Sequence, residues 1–334
     1  MKDRIAVLRG AVEESSHAVH AAVVDAHGRT VASVGDPDRV TFFRSSAKPL
    51  QALPLVEDGV ADRFGFTAAE LAICCASHGA EPRHVALVQG MLDRLGLSAD
   101  ALECGAHPPM HGPSAEALVR SGRAPGRIHN NCSGKHTGML ALALHHGWDP
   151  SGYAGAEHPV QRRMRTEVAR WSARPAADIP VAVDGCGVSC FALPVRDMAA
   201  AYARFAAQAR QGGSARRIVD AMTTHPWAVA GEGRLCTDLM AQTEGRLFAK
   251  VGAEGVYGAG APAEGLGIGL KVEDGGWRAA GVALLAVLDA VGLLSEDDRS
   301  ALEGWAHPPV HDTRGEVVGR VEPALRVRGR GVAV

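Results

Sequence analysis

Extended, apolar segments occupy both ends of this 334-residue chain, and segments with helical spacing occupy the middle. A sheet assembled from the two ends leaves the middle one topological role, that of a helical insertion enclosed between strands. At the N-terminal end, residues 18–25 and 30–34 flank Ala26-His27-Gly28-Arg29, a short glycine-containing turn that predicts a β-hairpin. Toward the C-terminus, residues 247–257 and 265–273 are again extended, separated by the Gly/Pro-rich stretch 258–264 and followed by a turn at Asp274-Gly275-Gly276. Thr313 onward predicts a last strand and a loose tail through residues 326–331. Between these ends, apolar residues recur with helical spacing at 46–56, 68–73, 83–95, 114–121, 135–145, 160–171 and 214–222. The expected fold class is α/β of the α+β type. One antiparallel sheet is formed by residues 1–42 and 247–325, residues 43–246 are mostly helical, and the whole of 1–334 acts as a single catalytic unit. No internal repeat or low-complexity tract interrupts that plan.

Composition narrows the function classes. With 46% hydrophobic and 22% charged residues, the chain resembles an average folded protein, which excludes a disordered or collagen-like polymer. Forty glycines beside only 4% aromatic residues predict a core of Ala, Val and Leu, with many tight loops. The 35 basic and 37 acidic residues give a net charge of −2, so no excess of positive charge calls for nucleic acid, and small molecules are the expected ligands. The longest apolar run, residues 279–288, is far shorter than the roughly 20 residues that cross a bilayer. The N-terminus has no apolar stretch of signal-peptide length, so the expected location is the cytoplasm, without a membrane partner. Seven cysteines, an odd number in a chain without an export signal, argue against a disulfide framework and leave free thiols or metal ligands.

The first chemical signal is Phe43-Arg44-Ser45-Ser46-Ala47-Lys48-Pro49, where a strand-like run meets a helix-like run at Ser-x-x-Lys. On a helix, residues three apart share a face, so Lys48 can reach the Ser45 hydroxyl, and a desolvated neutral lysine is a competent base for it. The helix start offers free amides for a developing oxyanion. The same pattern also arises when a serine merely caps a helix. The second signal is Ala249-Lys250-Val251-Gly252 on a strand near the C-terminus. Serine β-lactamases and penicillin-binding proteins face a Ser-x-x-Lys helix with a Lys-Thr-Gly strand, and order and context agree here. Strand alternation turns Lys250 and Gly252 to one face, and the missing side chain at Gly252 leaves room for a substrate. Between the two signals, Cys74-Cys75-Ala76-Ser77-His78-Gly79 supplies a second hydroxyl, Ser77, where that architecture places a proton relay; helix capping is its alternative reading.

A third signal pairs His129-Asn130-Asn131-Cys132-Ser133-Gly134-Lys135-His136 with Asp184-Gly185-Cys186-Gly187-Val188-Ser189-Cys190. Packing gives no reason to gather Asn, Cys, Lys, His and Asp in glycine-rich loops, so the pair suggests a pocket wall or a metal site, although no standard zinc spacing is present. The remaining histidines, including His107 and His111, are expected at the surface or at helix ends.

Taken in order, Arg44-Ser45-Ser46-Ala47-Lys48-Pro49, Ser77-His78-Gly79, His129 to His136, Asp184-Gly185-Cys186-Gly187 and Ala249-Lys250-Val251-Gly252-Ala253-Glu254-Gly255 resemble the asparaginase II family, the class 3 asparaginases, over residues 4–325. The resemblance implies a fold related to serine glutaminases and β-lactamases. It also implies hydrolysis of L-asparagine to L-aspartate and ammonia, and two Ser/Lys pairs that fall on Ser45 with Lys48 and Ser77 with Lys250. It further implies a homodimer, no organic cofactor, and a zinc held by two cysteines and a lysine, here Cys132, Lys135 and Cys186. Because a zwitterionic amino acid needs both a cationic and an anionic partner, Arg44, His136 and Asp184 are the candidates for its charged ends, Asp184 taking the α-amino group. Glutamine or another small amide on the same fold, and a non-enzymatic metal-binding protein, are the alternatives.

Overall fold

The computed structural model, which describes residues 3–329, brings the strand-rich ends together in one antiparallel sheet. Its strands run in the order Pro309–His311, Val317–Ala324, Arg4–Arg9, Val12–Asp25, Leu266–Val272, Val256–Ala261 and Phe248–Gly252. Thr30–Val34 folds back on Val12–Asp25 as the expected hairpin, and Arg328–Gly329 pairs with it; residues 330 and 331 of the expected tail lie outside the described residues. The chain divides into two compact units, one made of the residues up to Ser46, Leu193–Arg210 and those from Asp238 onward, the other of Ala47–Ala192 and Gln211–Thr237. The architecture is therefore a mixed one, an antiparallel sheet from both chain ends with a large, mostly helical insertion.

In the sheet unit, the stretch 247–257 is not one strand. It breaks at Ala253-Glu254-Gly255, where Glu254 and Gly255 take left-handed φ values of 60° and 67°, and the supposed loop after it is the strand Val256–Ala261. The error has a physical source. Gly258 and Gly260 pair with Gly269 and Gly267, so the four glycines share one face of the sheet. That face receives the helix Val195–Gln211, which the apolar spacing did not disclose. A Cβ at Gly267 would stand 2.1 Å from Ala203 N, and one at Gly269 2.4 Å from Val195 O. These are backbone contacts that no rotamer change relieves, so the glycines are what lets the helix lie directly on the strands. A second helix, Trp277–Ala290, packs on the sheet as well and buries the apolar run 279–288.

In the helical unit, Ala68–Cys74 starts with a capping box in which Thr67 and Glu70 exchange side-chain and backbone bonds. It packs against Ser133–His146, buried from Ser133 through Ala143. A Cβ at Gly134 would meet Ile73 O at 2.4 Å, so this glycine sets how closely the two helices approach. The result is that the loop after Cys74, carrying Ser77, lies beside the start of the helix that carries Lys135 and His136. The expected helix over 46–56 is instead a 3₁₀ turn, Arg44–Ala47, followed by two short helices, Lys48–Gln51 and Leu53–Glu57. Pro49 and Pro54 remove the amides that a continuous helix needs. Among the described residues, no helix is long and apolar enough to cross a membrane.

Candidate active site

Ser45 belongs to the sheet unit, in the 3₁₀ turn Arg44–Ala47. Arg44 enters that turn with φ at 50°, a left-handed value that costs a non-glycine residue about 1 kcal/mol or more. The strained turn is held from both sides: the Ser46 hydroxyl donates to Phe43 O at 2.6 Å, and the Tyr202 hydroxyl donates to Ser46 O at 2.7 Å. Ser45 itself is half-buried, and it is not a helix cap, since the helix that follows has Ala47 at its N-cap. A four-residue helix also has almost no dipole, so the contribution of this helix start to an oxyanion site rests on its free backbone amides.

Lys250 lies on the strand Phe248–Gly252, paired with Gly258, and is fully buried. Its Nζ donates to Val251 O at 2.7 Å. The Tyr202 ring fills the space over Gly258, 2.3 Å from where a Cβ would stand, so one tyrosine packs on the sheet beside the Lys250 position and holds the Ser45 turn through its hydroxyl. Gly252 does not leave substrate space as expected. A Cβ there would lie 3.1 Å from both Phe43 O and Val256 Cβ, so the glycine serves the close approach of the Phe43 backbone to the strand.

In the helical unit, Lys48 is fully buried. Its Nζ lies within hydrogen-bond distance of Ala76 O, of Ser77 Oγ at 3.0 Å and of Cys132 Sγ at 3.2 Å. Ser77 is therefore not a cap, because the next helix, Pro82–Leu95, has Glu81 at its N-cap. The Ser77 loop is pinned through its backbone, with Ser77 N–H donating to Val229 O, His78 N–H to Asn131 O and Gly79 N–H to Ala230 O.

Cys132, Lys135 and Cys186 converge. Lys135 Nζ donates to Cys186 Sγ at 3.2 Å. The hydrogen bond from Cys132, aided by Lys135, draws the Cys186 thiol down to about 4, against the effect of burial. The same bond, together with burial, pushes Cys132 up to about 12, and Asn131 Oδ1 at 2.9 Å competes for its proton. Burial opposes the Lys135 ammonium, but Cys186, Cys132 and Asp184 more than offset it and hold its pKa above the ordinary lysine value. Two sulfurs, one with its pKa drawn well below the ordinary thiol value, and an amine form a donor set that suits a borderline-soft divalent ion such as zinc, provided Lys135 gives up its proton. Among the described residues no three of His, Cys, Asp and Glu form a metal-binding group, so a metal here depends on the lysine amine.

Asp184 is half-buried at the tight turn before Cys186, where its Oδ1 accepts the Gly185 N–H at 2.7 Å and its carbonyl the Gly187 N–H at 2.8 Å. His136 is fully buried; burial, with Lys135 beside it, brings its pKa down to about 3, so the ring is neutral. The three candidates for the substrate's charged ends thus divide, Arg44 in the sheet unit and His136 and Asp184 in the helical unit.

Several contributors have no signal of their own in the sequence. His78 is buried, and its Nδ1 accepts the Ala80 N–H at 3.2 Å. Its Nε2–H therefore donates to Ser133 Oγ at 3.0 Å, which in turn donates to Ile128 O. This ties the Ser77 loop to the helix that follows Cys132. Asn130 Oδ1 accepts the Cys132 N–H at 2.8 Å. His107 is not a surface residue as expected: it is half-buried, and its Nε2 accepts the Asn131 N–H at 3.0 Å. Tyr153, 17 residues beyond His136, bonds its ring at 2.6 Å. Nothing short of the fold brings the two together.

No curated protein sequence matches the chain. Solved structures similar to it include Mglu in its native form, 15% identical with a TM-score of 0.41, over 84% of this chain and 66% of that one, just under two thirds of its length. Another is a β-lactamase from Mycobacterium bovis, 17% identical with a TM-score of 0.39, over 86% of this chain and 95% of that one. The sequence pattern of L-asparaginase II, by contrast, matches residues 5–323. Spanning nearly the whole length, and taking in every residue whose position has been described here from Arg44 to Gly258, that match means the chain belongs to the L-asparaginase II family of amidohydrolases.

Proposed function

We propose that the protein hydrolyses the side-chain amide of L-asparagine to L-aspartate and ammonia through an acyl-enzyme on Ser45. The observation that carries this reading is the buried Lys48 amine on the Ser77 hydroxyl at 3.0 Å, beside the Cys132 thiol. A lysine with no solvent contact, bonded to one serine hydroxyl and placed three residues after a second, half-buried serine, is positioned to exchange protons with hydroxyls. Ser45 Oγ attacks the carboxamide carbon while neutral Lys48 takes its proton. Ser77 and Lys250 deliver a proton to the nitrogen as the C–N bond breaks and ammonia leaves. Water then attacks the ester, giving one proton to the Ser77 and Lys250 pair that lost one, and Lys48 returns its proton to the Ser45 oxygen as the ester C–O bond breaks and aspartate leaves. Asp184 faces the α-ammonium, and Arg44 with His136 the α-carboxylate.

A zinc ion on Cys132, Lys135 and Cys186 would supply fixed positive charge and Lewis acidity near the Lys48 amine, which shares Cys132 with that set. Elemental analysis of the purified protein is expected to find about one zinc per chain, lost in Cys132→Ala. A second copy of the chain is the expected partner, read by light scattering.

Ammonia release from asparagine tests the activity, and its absence would leave a metal-binding protein as the reading. Comparing asparagine with glutamine tests the substrate, since one methylene is worth only about 1–3 kcal/mol of discrimination. Because Lys48 bonds Ser77, acylation of Ser77 with Lys48 as its base is the second reading. Trapping the acyl-enzyme and mapping it by mass spectrometry separates the two: an adduct on Ser45 supports the proposal, and one on Ser77 replaces it.

A further inference from the structure

His136 stands one turn beyond Cys132 on the helix Ser133–His146, and Lys48, Lys135, Cys132 and Glu103 supply the charges around its ring. The ring is fully buried, yet its Nε2 has no hydrogen-bond partner among the described residues. A buried polar atom of that kind is costly unless something meets it, so its chemistry matters. Its other nitrogen decides that chemistry. Nδ1 lies 2.6 Å from the Tyr153 hydroxyl, and that hydroxyl already accepts the Glu103 N–H at 2.8 Å.

If Nδ1 carried the ring proton, the Tyr153 oxygen would accept twice and its own proton would be buried without an acceptor. If Tyr153 instead donates to Nδ1, every group in the chain Glu103 N–H, Tyr153 O–H, Nδ1 is used once, and the ring proton sits on Nε2. Tyr153 cannot turn away to escape this. It is fully buried, Gln161 Nε2 donates to its carbonyl at 2.9 Å, and the Glu103 carboxylate accepts the Gly152 and Ala154 N–H groups at 2.5 and 2.8 Å.

We propose that Tyr153 is a positioning residue that locks His136 in the Nε2–H tautomer, and that this N–H donates to the α-carboxylate of the substrate. A donor cannot hold the α-ammonium, which leaves that group to Asp184. The recognition half rests on the asparaginase reading; the tautomer half does not.

Two measurements on the full-length protein separate these halves. Nitrogen NMR of ¹⁵N-histidine-labelled protein, with the His136 signals assigned by their loss in His136→Gln, is expected to show the Nε2–H form in the wild type and a mixture with Nδ1–H in Tyr153→Phe. Any other form in the wild type overturns the lock, whether or not asparagine is hydrolysed. The second measurement compares asparagine with asparaginamide, whose carboxylate is replaced by a neutral amide. Tyr153→Phe is expected to lower kcat/KM for asparagine about tenfold, mainly through KM, and to reduce the preference over asparaginamide by the same factor. His136→Gln, which keeps an N–H near the Nε2 position, is expected to retain more of that preference than His136→Leu. Equal losses on both substrates would place the N–H elsewhere, on the carboxamide oxygen, and overturn the assignment. Absence of hydrolysis by the wild type would refute the asparaginase reading alone, and the NMR result would still decide the lock.

Discussion

The two units hold their candidate residues by different means. In the sheet unit, placement is a matter of backbone: Arg44 is strained, the Phe43 carbonyl presses on Gly252, and the helix Val195–Gln211 lies on a face of four glycines. In the helical unit, placement is a matter of polar side chains bonded to one another, from Lys48 on Ser77 and Cys132 to Lys135 on Cys186 and Tyr153 on His136. Steric placement is rigid and indifferent to pH, whereas a buried polar network is cooperative and sensitive to protons. Substitutions in the two units should therefore fail in different ways.

The largest effect is expected at Ser45, where the sheet unit contributes a single hydroxyl. Ser45→Ala should lower kcat by about a thousandfold or more while leaving the melting temperature nearly unchanged, because the turn is held by Ser46 and Tyr202. Near wild-type turnover in that variant would remove Ser45 from the mechanism. Next is the polar network. Lys48→Met and Ser77→Ala should each cost about 10²–10⁴ in kcat, and the double variant little more than either, since the two share one hydrogen bond. Multiplicative losses would mean that the network does not act as a unit and would blunt the contrast between the two halves.

Stability sharpens the contrast from the other side. Gly267→Ala should destabilise by about 3 kcal/mol or more in denaturant unfolding, because the added Cβ would meet backbone at 2.1 and 2.2 Å. A loss below about 1 kcal/mol would show that the helix Val195–Gln211 can move off the sheet. The smallest and most graded effect is acid sensitivity of the helical unit. Burial, with His84 and Lys48 nearby, holds the pKa of His78 well below the ordinary histidine value. The unfolded chain therefore binds this proton first, so the stability that His78 contributes is complete above about pH 6.5 and declines as pH falls from there. The slope is about 1.4 kcal/mol per pH unit for one such group. His78→Asn or His78→Gln should flatten the decline between pH 6.5 and 5; an unchanged slope would place the proton uptake on other groups.

How much of this was legible before the fold was known differs from residue to residue. Ser45, Lys48 and Lys250 stand in short patterns whose spacing carries meaning, because a helical turn or a strand repeats over two to four residues. Cys132, Lys135, Asp184 and Cys186 could be singled out as polar residues in glycine-rich loops, but their convergence across some 50 residues of chain could not. The strand Val256–Ala261 is not legible in the sequence because its glycines look like a loop until the helix that rests on them is known. The roles of His78 and His107 are hidden for a related reason: a histidine's role depends on which groups face its two nitrogens, and those groups, Ser133 and Ala80 or Asn131 and Pro108, are set by packing.

By itself, then, the sequence determined that strands come from both chain ends and helices from the middle, and which local motifs carry hydroxyls, amines and thiols, since periodicity and spacing are properties of the chain alone. Only the tertiary structure decided that Lys48 bonds Ser77, that Gly252 admits the Phe43 backbone rather than a substrate, and that Tyr153 governs the proton on His136. Hydrogen bonds and close contacts between residues far apart in the chain depend on distances of a few ångströms, and a linear order does not contain those distances.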